Sequence, residues 1–368
     1  MARCASWRCG VICCLLIMSI IWVAGNDEYH AHAATNNRNI LFVFLQGINT
    51  RLSEEEAGNG VIPDRINSFG QADGIYTSLK SRFPSADFLM YSYSGSTSTG
   101  RPLAYRCADT FRDPIVVDVQ ALGAQIGAAL KDKPDTDIYL IGHSLGGAVA
   151  LSYLAALYQP AAQRLVADLP AGAHLAGVIT LDSPLGGVSD DPAYFDVTAL
   201  VFHWLPIIVL KRLGLILPCG IPGEEFRSVR DLIGVFQTNK NAVDGNDDAR
   251  GSHASLGEEI AGGVAESNQQ MVEKAAMLRR TAVLTIGNTR DFLWDPAACP
   301  TNILGMKIPQ VQFLSTQWVE NKATGVYSWE FTDGDEDCAR SLLFNAANHY
   351  EVLTNGSVEE QIEQFVAR

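Results

Sequence analysis

The run IYLIGHSLGG, residues 138–147, decides how this chain is read. Its first four residues are apolar and rich in β-branched side chains, the pattern of a strand buried on both faces of a parallel sheet. Gly142-His143-Ser144-Leu145-Gly146 follows with no spacer, and Leu145 to Tyr158 suits a helix that stops before Pro160. A strand that turns straight into a helix leaves no room for side chains at the corner. Glycines at 142 and 146 remove the Cβ atoms that would clash there. The Ser144 hydroxyl is then presented at the strand's end. The new helix points its unpaired N–H groups at any negative charge that develops beside it. Gly-x-Ser-x-Gly alone is a weak signal; between a strand and a helix it is a strong one.

Outward from this corner, strands and helices alternate. Asn39–Leu45 (NILFVFL) is a continuous apolar run, and residues 51–67 are polar and read as a loop. Residues 70–82 suit a short helix, Asp87–Tyr93 a second strand, and Pro114 to Leu130 a helix with proline at its start. Asp137–Ile141, Leu175–Leu181 and Ala282–Ile286 complete a set of five strands, and Val358–Val366 is a terminal helix. Such alternation calls for a mostly parallel central sheet with helices on both faces. Residues 186–280 interrupt it. Ala199–Leu217 is apolar but broken by Pro206, which makes a single spanning helix awkward. The segment reads as a cap or lid over the sheet's carboxyl edge, with an ordinary packed helical excursion as the alternative.

The pieces FLQGIN, GHSLGG, LDSPLGG, TIGNTRDFLW and NHYEVLTNGSVEEQIEQF, in this order, resemble the α/β-hydrolase superfamily, and within it secreted lipases and esterases. The resemblance covers most of residues 39–368 apart from the insertion. It implies an α/β-hydrolase fold and a serine nucleophile, Ser144, activated by a histidine that an acid orients. Of the histidines beyond the signal, only His349 lies after the fifth strand, on a loop before the last helix, so it is the expected general base. For the acid the choice stays open. Asp291 fits the family's spacing after TAVLTIG, Asp295 is its near neighbour, and Asp182 in LDSP ends the fourth strand. The oxyanion hole is expected from the backbone N–H groups of Leu145 and Ile48. Where the family usually has His before that glycine, this chain has Gln46. The resemblance further implies hydrolysis of carboxylic esters, most readily lipid or acyl esters, with no cofactor. The apolar insertion is suited to an acyl pocket or a lipid interface. The same machinery serves acyltransferases, phospholipid deacylases, thioesterases and amidases, and a silent hydrolase fold used as a surface interaction module is the non-enzymatic alternative.

The beginning of the chain has its own reading. Arg3 and Arg8 lead an uncharged apolar run, Cys9 to Gly25, and Ala31-His32-Ala33 offers a small-x-small site. This is the pattern of a secretory signal peptide over residues 1–33, with an uncleaved membrane anchor as the alternative; either places residues 34–368 outside the cytoplasm. Lys and Arg number 27 against 41 Asp and Glu, a net charge of −14, which argues against binding nucleic acid phosphates. Four of eight cysteines fall in the signal. Cys107, Cys219, Cys299 and Cys338 remain, enough for two disulfides in three possible pairings. Cys299–Cys338 is favoured because both sit on late loops, leaving Cys107–Cys219. No Cys-x-x-Cys occurs, and neither DGNDD (244–248) nor DGDED (333–337) has the glycine and glutamate of a calcium loop, so no metal is expected. Asn355-Gly356-Ser357 is a glycosylation sequon, relevant only in a eukaryotic host.

Overall fold

The computed structural model describes residues 38–48, 50–60, 62–63, 68–158, 169–185, 268–291, 302–303, 306–307, 319–334 and 348–368. The expected signal peptide, residues 186–267 of the insertion, Asp295, Cys219, Cys299 and Cys338 lie outside them. Cys107 is the one described cysteine, and it is buried.

Six strands form one parallel sheet. They are β1 (Asn39–Leu45), β2 (Asp87–Met90), β3 (Thr136–His143), β4 (His174–Leu181), β5 (Ala282–Asn288) and β8 (Val326–Phe331), in the order β2-β1-β3-β4-β5-β8. Two short strands, β6 (Asn302–Ile303) and β7 (Met306–Lys307), pair antiparallel apart from it. The five strands read from sequence are all present, each within three residues of the expected bounds. They form because their apolar runs meet cover on both faces, the condition parallel sheets require. β8 was not read. Its VYSWEF has only its two ends buried, as suits an edge strand, and its pattern lacks both a continuous apolar run and clean alternation.

Both faces are covered. On one, Phe42 and Phe44 point the same way, two residues apart, into an aromatic group. Phe42 packs 5.4 Å from Phe88 and 5.6 Å from Tyr139, and Phe44 packs 4.9 Å from Phe69. Helices α2 (Ile75–Arg82) and α8 (Gly356–Val366) close this side. Tyr76 of α2 meets Phe44 and Phe88 edge-on, and Tyr327 of β8 meets Phe365 of α8. On the other face lie α4 (Ile115–Ala129), α5 (Leu145–Tyr158) and α6 (Asn268–Arg279), with α5 packed between its two neighbours. α6 falls within the stretch read as cap. Its Val272, Ala275 and Ala276 are buried, so it belongs to the core around the sheet and leads directly into β5.

Two polar details escaped the sequence reading. The loop after β1 contains a short helix, α1 (Glu54–Asn59), begun by a capping box in which Ser53 and Glu56 satisfy each other's backbone N–H groups. The signal, Ser-x-x-Glu, was in the sequence. Asn355 also has a structural use. Its side-chain Oδ1 accepts from the N–H groups of Ser357 and Val358 at the start of α8, and its side-chain amide donates to Asp333 at 2.6 Å.

Phe42 is fully buried among three rings. Phe42→Ala is therefore expected to lower stability by about 3–5 kcal/mol in urea denaturation. A loss below about 1 kcal/mol would mean the aromatic group can collapse around the cavity.

Candidate active site

The register of the sheet assembles the site. Leu45 pairs with Gly142, His143 with Leu181, and Leu181 with Ile286. The strands end in line, so the residues that follow β1, β3, β4 and β5 emerge side by side at the carboxyl edge, where open α/β sheets bind their ligands. Ser144 N–H continues the ladder onto Leu181 O at 2.9 Å, and Asp182 N–H onto Ile286 O at 2.9 Å.

Ser144 sits at the corner between β3 and α5 with φ 55, the left-handed region. A non-glycine residue held there costs of order 1–3 kcal/mol, which the buried elements on either side must offset. Gly142 permits the turn: a Cβ on it would lie 2.5 Å from the backbone of Gly146 and Gly147. The loop after β1 presses onto the serine from the other side. A Cβ on Gly47 would meet Ser144 Cβ at 2.6 Å and Oγ at 3.2 Å. Ile48 follows, half-buried, and Leu145 opens α5, where helix N–H groups have no intrahelical partner. Leu145 thus follows Ser144 directly, and Ile48 comes one residue after the glycine that presses on it.

A polar clamp holds that loop. Gln46 is buried; its amide donates to Ser68 Oγ at 2.7 Å and its side-chain oxygen accepts from Tyr105 at 3.2 Å. The Tyr93 hydroxyl donates to the Gln46 carbonyl at 2.5 Å, and Thr50 donates to the Gly47 carbonyl at 2.8 Å. Burial raises the Tyr93 phenol well above its ordinary range, so it stays a donor. With the carbonyls of residues 46 and 47 fixed, the peptide planes of the loop are fixed too. Sequence inspection noted Gln46 but not this clamp, whose members come from four separate segments.

His349 begins the last stretch of chain, in the short helix α7 (Asn348–Glu351). Its Nδ1 lies 2.5 Å from Asp291 Oδ2, with both side chains buried. Burial lowers the imidazole to about 3, so at neutral pH it is uncharged. The bond to Asp291 places the proton on Nδ1, makes Nε2 the nitrogen that can take another, and favours the imidazolium when it forms. Beneath it, His143 donates from Nε2 to the His349 carbonyl at 2.9 Å, and the two rings are 4.6 Å apart. His143 thus braces His349.

Two asparagines lock the acid and histidine segments together. Asn288 donates to the carbonyls of Asn348 and Asp333, and Asn348 donates to the Arg290 carbonyl at 2.8 Å. Both stood in the quoted motifs without being given a role. Asp182 is drawn in as well. It is fully buried, its Oδ1 accepts from the Asn288 N–H at 2.6 Å, and it lies with Asp291 and His349 in one group whose ligand atoms are within 4.8 Å of one another. This is the one grouping among the described residues spaced for a metal ion, and within it the His349 Nδ1 is engaged by Asp291. Two of the three candidate acids therefore converge on the same histidine, and the third lies outside the described residues.

With the parallel sheet, the serine corner and the buried His–Asp pair in place, the class of protein is an α/β enzyme fold with its chemistry at the strands' carboxyl ends. The chain belongs to the alpha/beta hydrolase family, whose model matches residues 51–319. No curated protein matches it. Among solved structures it is similar to a lipase-esterase related protein from Clostridium acetobutylicum, at 11% identity over 90% of this chain and 96% of that one, with a TM-score of 0.34. It is similar to esterase B from Lactobacillus rhamnosis at 12% over 90% and 75%, TM-score 0.36. A lipase/esterase from Lactobacillus plantarum shares 15% over 71% and 69%, TM-score 0.31. At this distance the neighbours carry no argument about substrate.

The two buried imidazoles make stability depend on pH. In the unfolded chain they take up protons near pH 6.5, while burial lowers His143 well below that and His349 to about 3. Their contribution is present above 6.5 and is lost as pH falls below it. Replacing His143 by Gln, which keeps a donor, removes one such group. The stability of wild type relative to His143→Gln should shrink between pH 7 and pH 5, followed by thermal melting in matched buffers. A constant gap would count against a neutral buried His143.

Proposed function

We propose that this hydrolase is an exported serine enzyme that cleaves carboxylic esters, with lipid or acyl esters as the preferred class. One observation carries the reading: Ser144, held in a left-handed corner beneath Gly47, shares the carboxyl edge of the sheet with the buried His349–Asp291 pair. Ser144 Oγ attacks the ester carbonyl while His349 Nε2 takes its proton. The carbonyl oxygen becomes an oxyanion that accepts from the N–H groups of Ile48 and Leu145. Collapse of the intermediate expels the alcohol, which receives the proton from His349. Water, deprotonated by the same nitrogen, then attacks the acyl-enzyme and releases the acid and free Ser144. Asp291 holds the Nδ1–H tautomer and stabilises the imidazolium.

Support for export comes from the basic start, apolar run and Ala-x-Ala site of residues 1–33, and from the cysteines that remain after them. Support for acyl substrates comes from the apolar run 199–217.

The purified protein should label with a fluorophosphonate probe and hydrolyse p-nitrophenyl esters. Ser144→Ala should abolish labelling and lower kcat/KM about ten-thousandfold or more. Folded wild type that neither labels nor turns over any ester, amide or phospholipid would sink the reading. Gly47→Ala tests the oxyanion arm: the added methyl must push the loop off Ser144, so kcat should fall about 10²–10³-fold, the loss of one oxyanion donor, while Ser144 remains in place. An unchanged kcat would place the second donor elsewhere.

A further inference from the structure

Asp182 follows β4 directly in a left-handed conformation, φ 42. Its Oδ1 accepts from Asn288 N–H, but Oδ2, equally buried, has no hydrogen-bond partner among the described residues. An ionised carboxylate left that way would be costly; a neutral acid carrying its proton on Oδ2 avoids the buried charge. The groups facing it point the same way. Asp291 lies beyond the end of β5, His349 lies in α7, and the three place their ligand atoms within 4.8 Å of one another. Farther out are His143 of β3, which touches His349, and Tyr350 of α7, whose phenol burial and Asp291 push up to about 12. Two carboxyls so close and so buried do not both ionise. The one held by the imidazole, Asp291, keeps the charge. Burial, then the charge on Asp291, raises the Asp182 carboxyl well above the usual range, against the opposing pull of the Asn288 N–H.

We propose that Asp182 is a second acid of this site, a positioning residue that holds one negative charge jointly with Asp291 and takes over the orientation of His349 when Asp291 cannot ionise. This rests on the serine-hydrolase reading above. In the exchange no bond to substrate changes: Asp182 releases its Oδ2 proton to solvent, and the carboxylate so formed accepts from His349 Nδ1–H.

The test compares ester hydrolysis by the full chain and three variants across pH, each checked for folding by circular dichroism and thermal melting. Asp182→Asn, a neutral isostere, should lower kcat/KM by less than Asp291→Asn does. Asp291→Asn should keep kcat/KM within about a hundredfold, whereas the double variant should fall about ten-thousandfold, the loss seen when a catalytic histidine has no orienting carboxylate. The pH profile supplies the readout that a purely structural Asp182 would not move. In Asp291→Asn the acid limb should shift to higher pH, because Asp182 must first lose a tightly held proton; in Asp182→Asn it should not. If the double variant fails to fold, that shift alone decides. An active wild type with Asp291→Asn as inert as the double variant, or with an unshifted limb, overturns the proposal. An inert wild type overturns the underlying reading and this one with it.

Discussion

The site depends on a single backbone constraint, the turn at Ser144. A serine at φ 55 is held there because β3 and α5 are each anchored in the core and meet with only Ser144 between them. On the proposed reading, the turn fixes where the oxyanion can form. It also sets how near the first loop must come. Gly47 approaches so closely that even a methyl group would collide with the serine. The nucleophile and its anion-binding surface are thus two sides of one packing problem, and the Gln46 clamp holds the second side in place. Gln46 is held by Ser68 and Tyr105 through its side chain and by Tyr93 through its carbonyl. Its donor and acceptor ends are both satisfied, as a buried amide requires.

Much of this was legible in the sequence for a physical reason. A strand covered on both faces must be apolar throughout, so β1, β3, β4 and β5 announce themselves as short continuous runs. Ser144 is marked by its glycines, and His349 by its place after the last of those runs. What was not legible depends on pairing between distant segments. β8 lies at an edge, half exposed, and its composition carries no strong period. The helix α6 was absorbed into the insertion because nothing local shows that Val272, Ala275 and Ala276 face α5.

The choice of acid shows the same limit more sharply. Asp182 and Asp291 are separate candidates when read along the chain, each at the end of its own strand. The β4–β5 register then brings them to one place, tied by the Asn288 N–H. The asparagines at 288 and 348 could be quoted as motif letters, but their work is to cross-link two loops, and partners 58 to 60 residues apart are invisible until the sheet is built.

The arrangement also orders events in time. His143 and His349 touch, yet 206 positions separate them. Synthesis delivers the nucleophile corner, the oxyanion loop and both acids well before the imidazole. A nascent chain that has emerged only as far as Asp291 therefore carries Ser144, the loop after β1 and both acids without His349. On the proposed reading, chain growth itself is a safeguard. The protein stays harmless to the esters of the cell that makes it until α7 closes against the sheet edge and α8 packs beside α2.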